Sequence, residues 1–188
     1  MWLSCVRRPL LISELQHAVA TRFNEPQIDP DEDCPPSEII VESCLGLVTI
    51  EHDESTIRLC HFSLQEYLES QRENLFPQAQ TTIARVCLTY LSYELPEQAL
   101  IGNHVKLSNV SVEVILDYLP FLQYAADHWG FHAKAAAFNA IEGVALTFAK
   151  DVLKTIRAAR ILANHTPYSR RNHQSASSRY RRVDRRPK

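Results

Sequence analysis

His128 and His132 stand four residues apart, a spacing that puts two imidazoles on one face of a helix. Such a pair can hold zinc, and with a glutamate after the first histidine it marks a metalloprotease. Trp129 occupies that place here and no third ligand is in register. The pair therefore reads as ordinary surface or core histidines, and no metal site is expected. The cysteines are Cys5, Cys34, Cys44, Cys60 and Cys87, odd in number and far apart, with no C-x-x-C among them. Neither a disulfide framework nor a zinc site uses such spacing, so they read as small buried hydrophobes. The glycines are Gly46, Gly102, Gly130 and Gly143, too sparse for a loop that wraps phosphates with backbone N–H groups. No serine or cysteine stands out as a nucleophile, although a triad assembles in space rather than in sequence. The expectation is a non-enzyme with no catalytic residues and no cofactor of its own.

The charges point to contacts with other molecules instead. Residues 165–188 hold Arg170, Arg171, Arg179, Arg181, Arg182, Arg185, Arg186 and Lys188 against Asp184, a net +7. The whole chain carries −2, which leaves −9 on residues 1–164. An acidic body with a basic tail is expected, and the seven tail arginines are candidates for weak binding to nucleic acid or another acidic surface. A solvated terminus with no partner is the plainer alternative.

These residues need elements to position them. Met1–Val6 reads as the end of a helix, stopped by Arg8-Pro9. Ile12–Thr21 reads as a helix with Ile12, Leu15 and Val19 on one face. The acidic, proline-rich stretch 24–36 reads as a loop. Ser37 is expected to cap a short helix through Cys44, with Gly46 ending it at positive φ. Leu47–His52 and Thr56–His61 are rich in β-branched and apolar residues around Asp53-Glu54-Ser55, which predicts a hairpin. Ser63 and Glu66 fit a capping box on the next helix. Helix, helix, helix, hairpin, helix is the plan of a winged helix. The helix that would read DNA, Ser37–Cys44, carries Glu38 and Glu42 and no cation, and the wing tip Asp53-Glu54 is acidic. Phosphate repulsion opposes docking by that face, so sequence-specific DNA binding is not expected.

Beyond Pro77 the periodicity is helical. Ile83, Cys87, Tyr90 and Leu91 form one stripe, and Val112, Ile115, Leu116 and Leu119 another. Ile141, Ala145, Phe148, Val152, Ile156 and Ala159 recur at three- and four-residue steps, which predicts one amphipathic helix over 135–164. Its seam would pack inside the domain or against a neighbouring one. The expected fold class is mainly α: a winged helix (three helices plus a β-hairpin wing) over 1–71, an α-helical domain over 75–164, and a disordered basic tail over 165–188. The longest apolar runs are about seven residues where a membrane span needs about 20, and no signal peptide is evident. A cytoplasmic protein with no membrane partner is expected.

A resemblance adds to this reading. Trp2-Leu3-Ser4-Cys5, Arg7-Arg8-Pro9-Leu10, Glu14-Leu15, Ile39-Ile40, Gly46-Leu47-Val48 and the run Ile57-Arg58-Leu59-Cys60-His61-Phe62-Ser63-Leu64-Gln65-Glu66-Tyr67 resemble the winged-helix domain of NACHT-type signalling ATPases (STAND NTPases). The same module is known as the winged-helix domain of the GPI inositol-deacylase type. The likeness extends through Phe76-Pro77, Cys87-Leu88-Thr89-Tyr90-Leu91 and Tyr124-Ala125-Ala126-Asp127-His128-Trp129-Gly130, and looks most like fungal proteins that join a NACHT ATPase to ankyrin repeats. It implies a non-enzymatic regulatory module that packs on a nucleotide-binding domain and couples it to an output domain. It also implies that His61 reaches nucleotide phosphates when a NACHT domain is supplied from elsewhere. Leu11 departs from the family, which usually has Ser or Thr opening that helix. Neither a NACHT core nor an ankyrin repeat is in the sequence, so the chain reads as a fragment of that architecture. The alternative is a nucleic-acid-binding winged helix aided by the arginine tail.

Overall fold

The computed structural model describes residues 1–51, 55–95 and 112–163. The expected disordered tail and the wing tip Asp53-Glu54 lie outside them. The first elements are α1 (Trp2–Cys5), β1 (Leu10–Leu11), α2 (Ile12–Ala20), α3 (Pro30–Asp33) and α4 (Ser37–Ser43). The wing strands β2 (Val48–Glu51) and β3 (Thr56–Leu59) follow, then α5 (Phe62–Ser70) and α6 (Arg72–Leu75). The chain continues as α7 (Ala79–Leu91), α8 (Val112–Tyr118), α9 (Leu122–Ala135), α10 (Phe138–Lys150) and α11 (Val152–Ala163). This is the expected mainly helical architecture, a winged helix followed by a helical region.

The hairpin is antiparallel with Val48 opposite Leu59 and Ile50 opposite Ile57. A strand the sequence did not reveal completes the sheet in the order β1-β3-β2, with Leu10 opposite Ile57. Both residues of that pair are buried. Two residues are too short for a period-2 signal, so β1 is dictated by its partner rather than by its own pattern.

Several local expectations are corrected. Helix α2 turns Glu14, Leu15, His17 and Ala18 inward and leaves Val19 exposed, so its buried face is not the one read from Ile12, Leu15 and Val19. Its first turn is nevertheless secured. The Glu14 carboxylate accepts the Leu11 N–H at 2.9 Å, the acidic half of a capping box, and so offsets the missing cap hydroxyl. Ser37 is not the cap of α4; Pro36 precedes the helix in extended geometry and Ser37 is already its first residue. Ser63 and Glu66 form no capping box, because α5 begins at Phe62 and Ser63 sits inside its first turn. The loop 24–36 contains α3, capped by the Asp29 carboxylate on the N–H groups of Asp31 and Glu32. Gly46 has φ +79° as expected, and Leu45 before it is also left-handed at φ +50°.

The predicted helix over 135–164 is three pieces. It breaks after α9 and again at Asp151, which is extended and accepts the Lys154 N–H at 3.1 Å. Helix α11 therefore starts on its own cap and in its own direction. The predicted seam splits: Ile141 and Phe148 are buried, whereas Val152, Ile156 and Ala159 face solvent.

One apolar core runs through both halves of the chain. Trp2 of α1 meets Phe121 edge-on at 5.8 Å between ring centroids, and Phe121 meets Tyr90 of α7 edge-on at 5.3 Å. Phe121 also stacks on Tyr124 of α9 at 5.3 Å. The stripes Ile83–Leu91 and Val112–Leu119 are buried in this core as the periodicity predicts.

Candidate functional site

His61 follows β3 and stands at the cap position of α5. Its backbone is extended, and its carbonyl accepts the N–H groups of Leu64 and Gln65 at 3.1 and 3.2 Å. The side chain takes no part in the cap. The imidazole is exposed and makes no hydrogen bond to the described residues. The His61 ring is thus open to solvent, and an imidazole N–H can donate to a phosphate oxygen.

Its surroundings are bare. No residue of α5 is fully buried; Phe62 is 73% exposed and Tyr67 stands out farther along. Helix α4 has no fully buried residue either, and Ile39, Leu45 and Leu47 are exposed around its end. Of these, Leu47 lies nearest, since its carbonyl accepts the Cys60 N–H at 3.0 Å.

Beside His61 a cleft of about 650 Å³ opens between α1, the sheet and α5–α6. Leu3, Ile57 and Phe62 line it with Arg7, Arg58 and Arg72, and His61 is not part of its wall. Arg58 pairs with Glu51 at 3.3 Å, and Arg7 lies over the Phe131 ring at 4.2 Å. The Nε of Arg72 is buried and finds no hydrogen-bond partner among the described residues. Arg8 lines the cleft too, and Glu51 and Glu69 oppose these cations.

His17 and His132 are structural. His132 is fully buried, and its Nδ1 lies 2.6 Å from the Gln80 amide oxygen, which can only accept. Nδ1 therefore carries the proton, and Nε2 accepts from the Tyr124 hydroxyl at 2.8 Å. That hydroxyl in turn accepts the Arg7 N–H at 3.0 Å. Burial holds His132 down to a pKa of about 4, with His128 and Arg7 adding to the effect. Both ring nitrogens are committed, which removes His132 as a partner for His128 in the i, i+4 pair. His17 is similar: its Nδ1 meets the Tyr90 hydroxyl at 2.7 Å, and burial lowers it to about 4. These bridges are hidden from sequence patterning, because Gln80 lies 52 residues from His132 and Arg7 lies 117 from Tyr124.

Cys34 and Cys87 are not activated thiols. Cys5 and Cys87 are buried, and burial pushes the Cys87 thiol well up. Burial, then Asp33, Asp29 and Asp31, raise Cys34 to about 11. The acidic reading of α4 holds in space, since Glu38 and Glu42 are both exposed. Arg170, Arg171, Arg179, Arg181, Arg182, Arg185 and Arg186 lie outside the described residues. Among the described residues no helix is long and apolar enough to cross a membrane.

Residues 1–76 match the family model described as GPI inositol-deacylase, winged helix domain. That span takes in α1 through α6, and so includes His61 and every wall of the cleft. The azaphilone pigments biosynthesis cluster protein L of Monascus ruber is 29% identical over 141 residues, covering 66% of this chain and 28% of that protein. The matched region is thus under a third of that relative's length, and it runs well past the winged-helix domain. No solved structure matches the chain.

Proposed function

We propose that the chain is a regulatory interaction module of NACHT type, whose winged-helix domain docks on a nucleotide-binding domain and couples it to an output domain of the ankyrin-repeat kind. The observation that carries this reading is the bare face around α5. A helix with no fully buried residue, bearing Phe62 and Tyr67, gains little from this chain's own core. Burying Phe62 and Tyr67 under a partner would stabilise the complex by about 1.5–3 kcal/mol for each fully covered ring. His61 stands at the edge of that face with its ring uncommitted, and in the docked state it would donate to a phosphate of the partner's nucleotide. The module itself performs no chemistry.

The test is calorimetry with ADP. The chain alone should give no binding heat, and tight binding by the chain alone would sink the proposal. A NACHT nucleotide-binding domain that captures the chain should retain ADP more strongly in its presence, by about tenfold if one charge-assisted hydrogen bond is added. His61→Ala should remove that gain. A winged helix that reads DNA is the competing reading. It requires sequence-specific mobility shifts that survive neutralisation of the tail arginines, which the exposed Glu38 and Glu42 oppose.

A further inference from the structure

Arg7, Arg8, Arg58 and Arg72 all line the cleft between α1, the sheet and α5–α6, and the carboxylates on its walls are Glu51 and Glu69. Two of the cations are already answered. Glu14, behind the wall, takes both arms of Arg8 at 2.6 and 2.7 Å, and Glu51 pairs with Arg58 at 3.3 Å. Glu69 accepts the Gln65 amide at 2.9 Å instead of a guanidinium. Arg7 lies over the Phe131 ring at 4.2 Å. Neither it nor Arg72 pairs with a carboxylate among the described residues. Arg72 is half-buried, and its Nε–H is buried with no acceptor among the described residues. A buried donor without an acceptor destabilises the empty cleft, and a bound oxyanion would offset that cost. Glu51 and Glu69 limit how much negative charge can enter. A single carboxylate is admitted, whereas a phosphate dianion would be repelled by both.

The walls suit the rest of such a molecule. Leu3, Val6, Ile57, Leu59 and Phe62 add apolar surface beside the arginines. The volume of about 650 Å³ falls within the range of small-molecule sites, roughly 300–1,000 Å³. The wall that carries Arg7 and Arg8 is set before anything binds. The Arg7 N–H donates to the Tyr124 hydroxyl at 3.0 Å, and Arg8, held by Glu14, lies 5.2 Å from the centre of the Tyr124 ring. Little of that wall remains to be ordered on binding. On the sheet side the β1–β3 ladder stops at Leu10 opposite Ile57, and Pro9 has no N–H to extend it. The cleft opens just past that last pair, and Pro9 and Arg58 both line it. We propose that this cleft binds a small organic carboxylate with an apolar body, the carboxylate received by Arg72 and the body laid against the apolar wall. His61 lines no part of the cleft, so its occupancy is independent of the role proposed for that residue.

The test is an NMR titration of the isotope-labelled full chain with phenylbutyrate, phenylbutanol and inorganic phosphate. Phenylbutyrate should bind saturably and move the amide signals of Leu59, Cys60 and Phe62 together with the Nε–H signal of Arg72. Phenylbutanol has the same body without the charge and should bind about tenfold more weakly. Arg72→Gln should weaken phenylbutyrate by about the same factor, and Arg72→Lys, which keeps the charge but loses the planar fork, by less. The acid and the alcohol are compared on the wild type, so that comparison stands even where a variant fails to fold. No binding of phenylbutyrate, or binding no tighter than that of the alcohol, overturns the proposal. So does undiminished binding by an Arg72→Gln variant that circular dichroism shows to be folded. Shifts confined to residues 165–188 also overturn it, because the acid is then drawn to the arginines of that segment alone. Phosphate that displaces phenylbutyrate at a lower concentration overturns it as well, because the occupant is then a phosphate.

Discussion

Glu14 shows how one residue serves two elements. Its carboxylate is nearly fully buried, receives both arms of the Arg8 guanidinium at 2.6 and 2.7 Å, and accepts the Leu11 N–H. Glu14→Gln keeps the shape but removes the charge that Arg8 faces and weakens the helix start. Arg8 is a third exposed, so solvent screens part of the loss, and a drop of about 1–2 kcal/mol in urea unfolding is expected. The buried histidines make a pH prediction. Each has its folded pKa near 4, below the unfolded value of 6.5. The unfolded chain therefore binds more protons between those values, and stability falls as pH drops from 6.5 towards 4. Between pH 7 and 5 the loss is roughly 2 kcal/mol per histidine. His17→Gln should lessen the slope of stability on pH, and an unchanged slope would exclude His17 as a source.

At the scale of elements, the link from α4 to β2 sets two left-handed residues in a row. A Cβ on Gly46 would meet nothing within 4 Å, so Gly46→Ala costs only backbone strain, about 1 kcal/mol. Leu45 holds φ +50° while 87% exposed, so its side chain contributes little packing. Leu45→Gly should be neutral or stabilising by up to about 1 kcal/mol, opposite in sign to Gly46→Ala, and chemical denaturation of the pair checks both. The same link shows what the sequence could disclose. Gly46 was readable because only its own backbone decides its conformation, and the hairpin because β-branched residues flank a polar turn. Strand β1 was not, since its partner lies some 45 residues away in sequence. The break at Asp151 was obscured because apolar steps of three and four continue across it, although an aspartate ahead of Val152 is a fair cap signal. His61 was nameable from its motif, but no local pattern could show that its ring would face water. What holds His132 was only half legible, because Tyr124 lies two turns earlier on its own helix whereas Gln80 arrives from α7.

At the scale of the molecule, Phe121 joins what the sequence separates. It touches Trp2 of the winged helix, Tyr90 of α7 and Tyr124 of α9, and is fully buried. Phe121→Ala should cost about 3–5 kcal/mol. Because its ring contacts span both regions, calorimetry of the wild type is expected to show one cooperative transition, and the variant should shift all of it. Two separate peaks, of which only one moves, would show that the winged helix and the helical region unfold independently.

The helix after the wing begins without help from any side chain at its cap, because the His61 carbonyl alone receives the first amides. Folding therefore places almost no demand on what stands at position 61. Most binding residues are caught between two requirements, and changes that sharpen recognition weaken the scaffold. On the docking role proposed for His61 the two are uncoupled, so exchanging the imidazole would change what is recognised with little thermodynamic resistance from the rest of the protein.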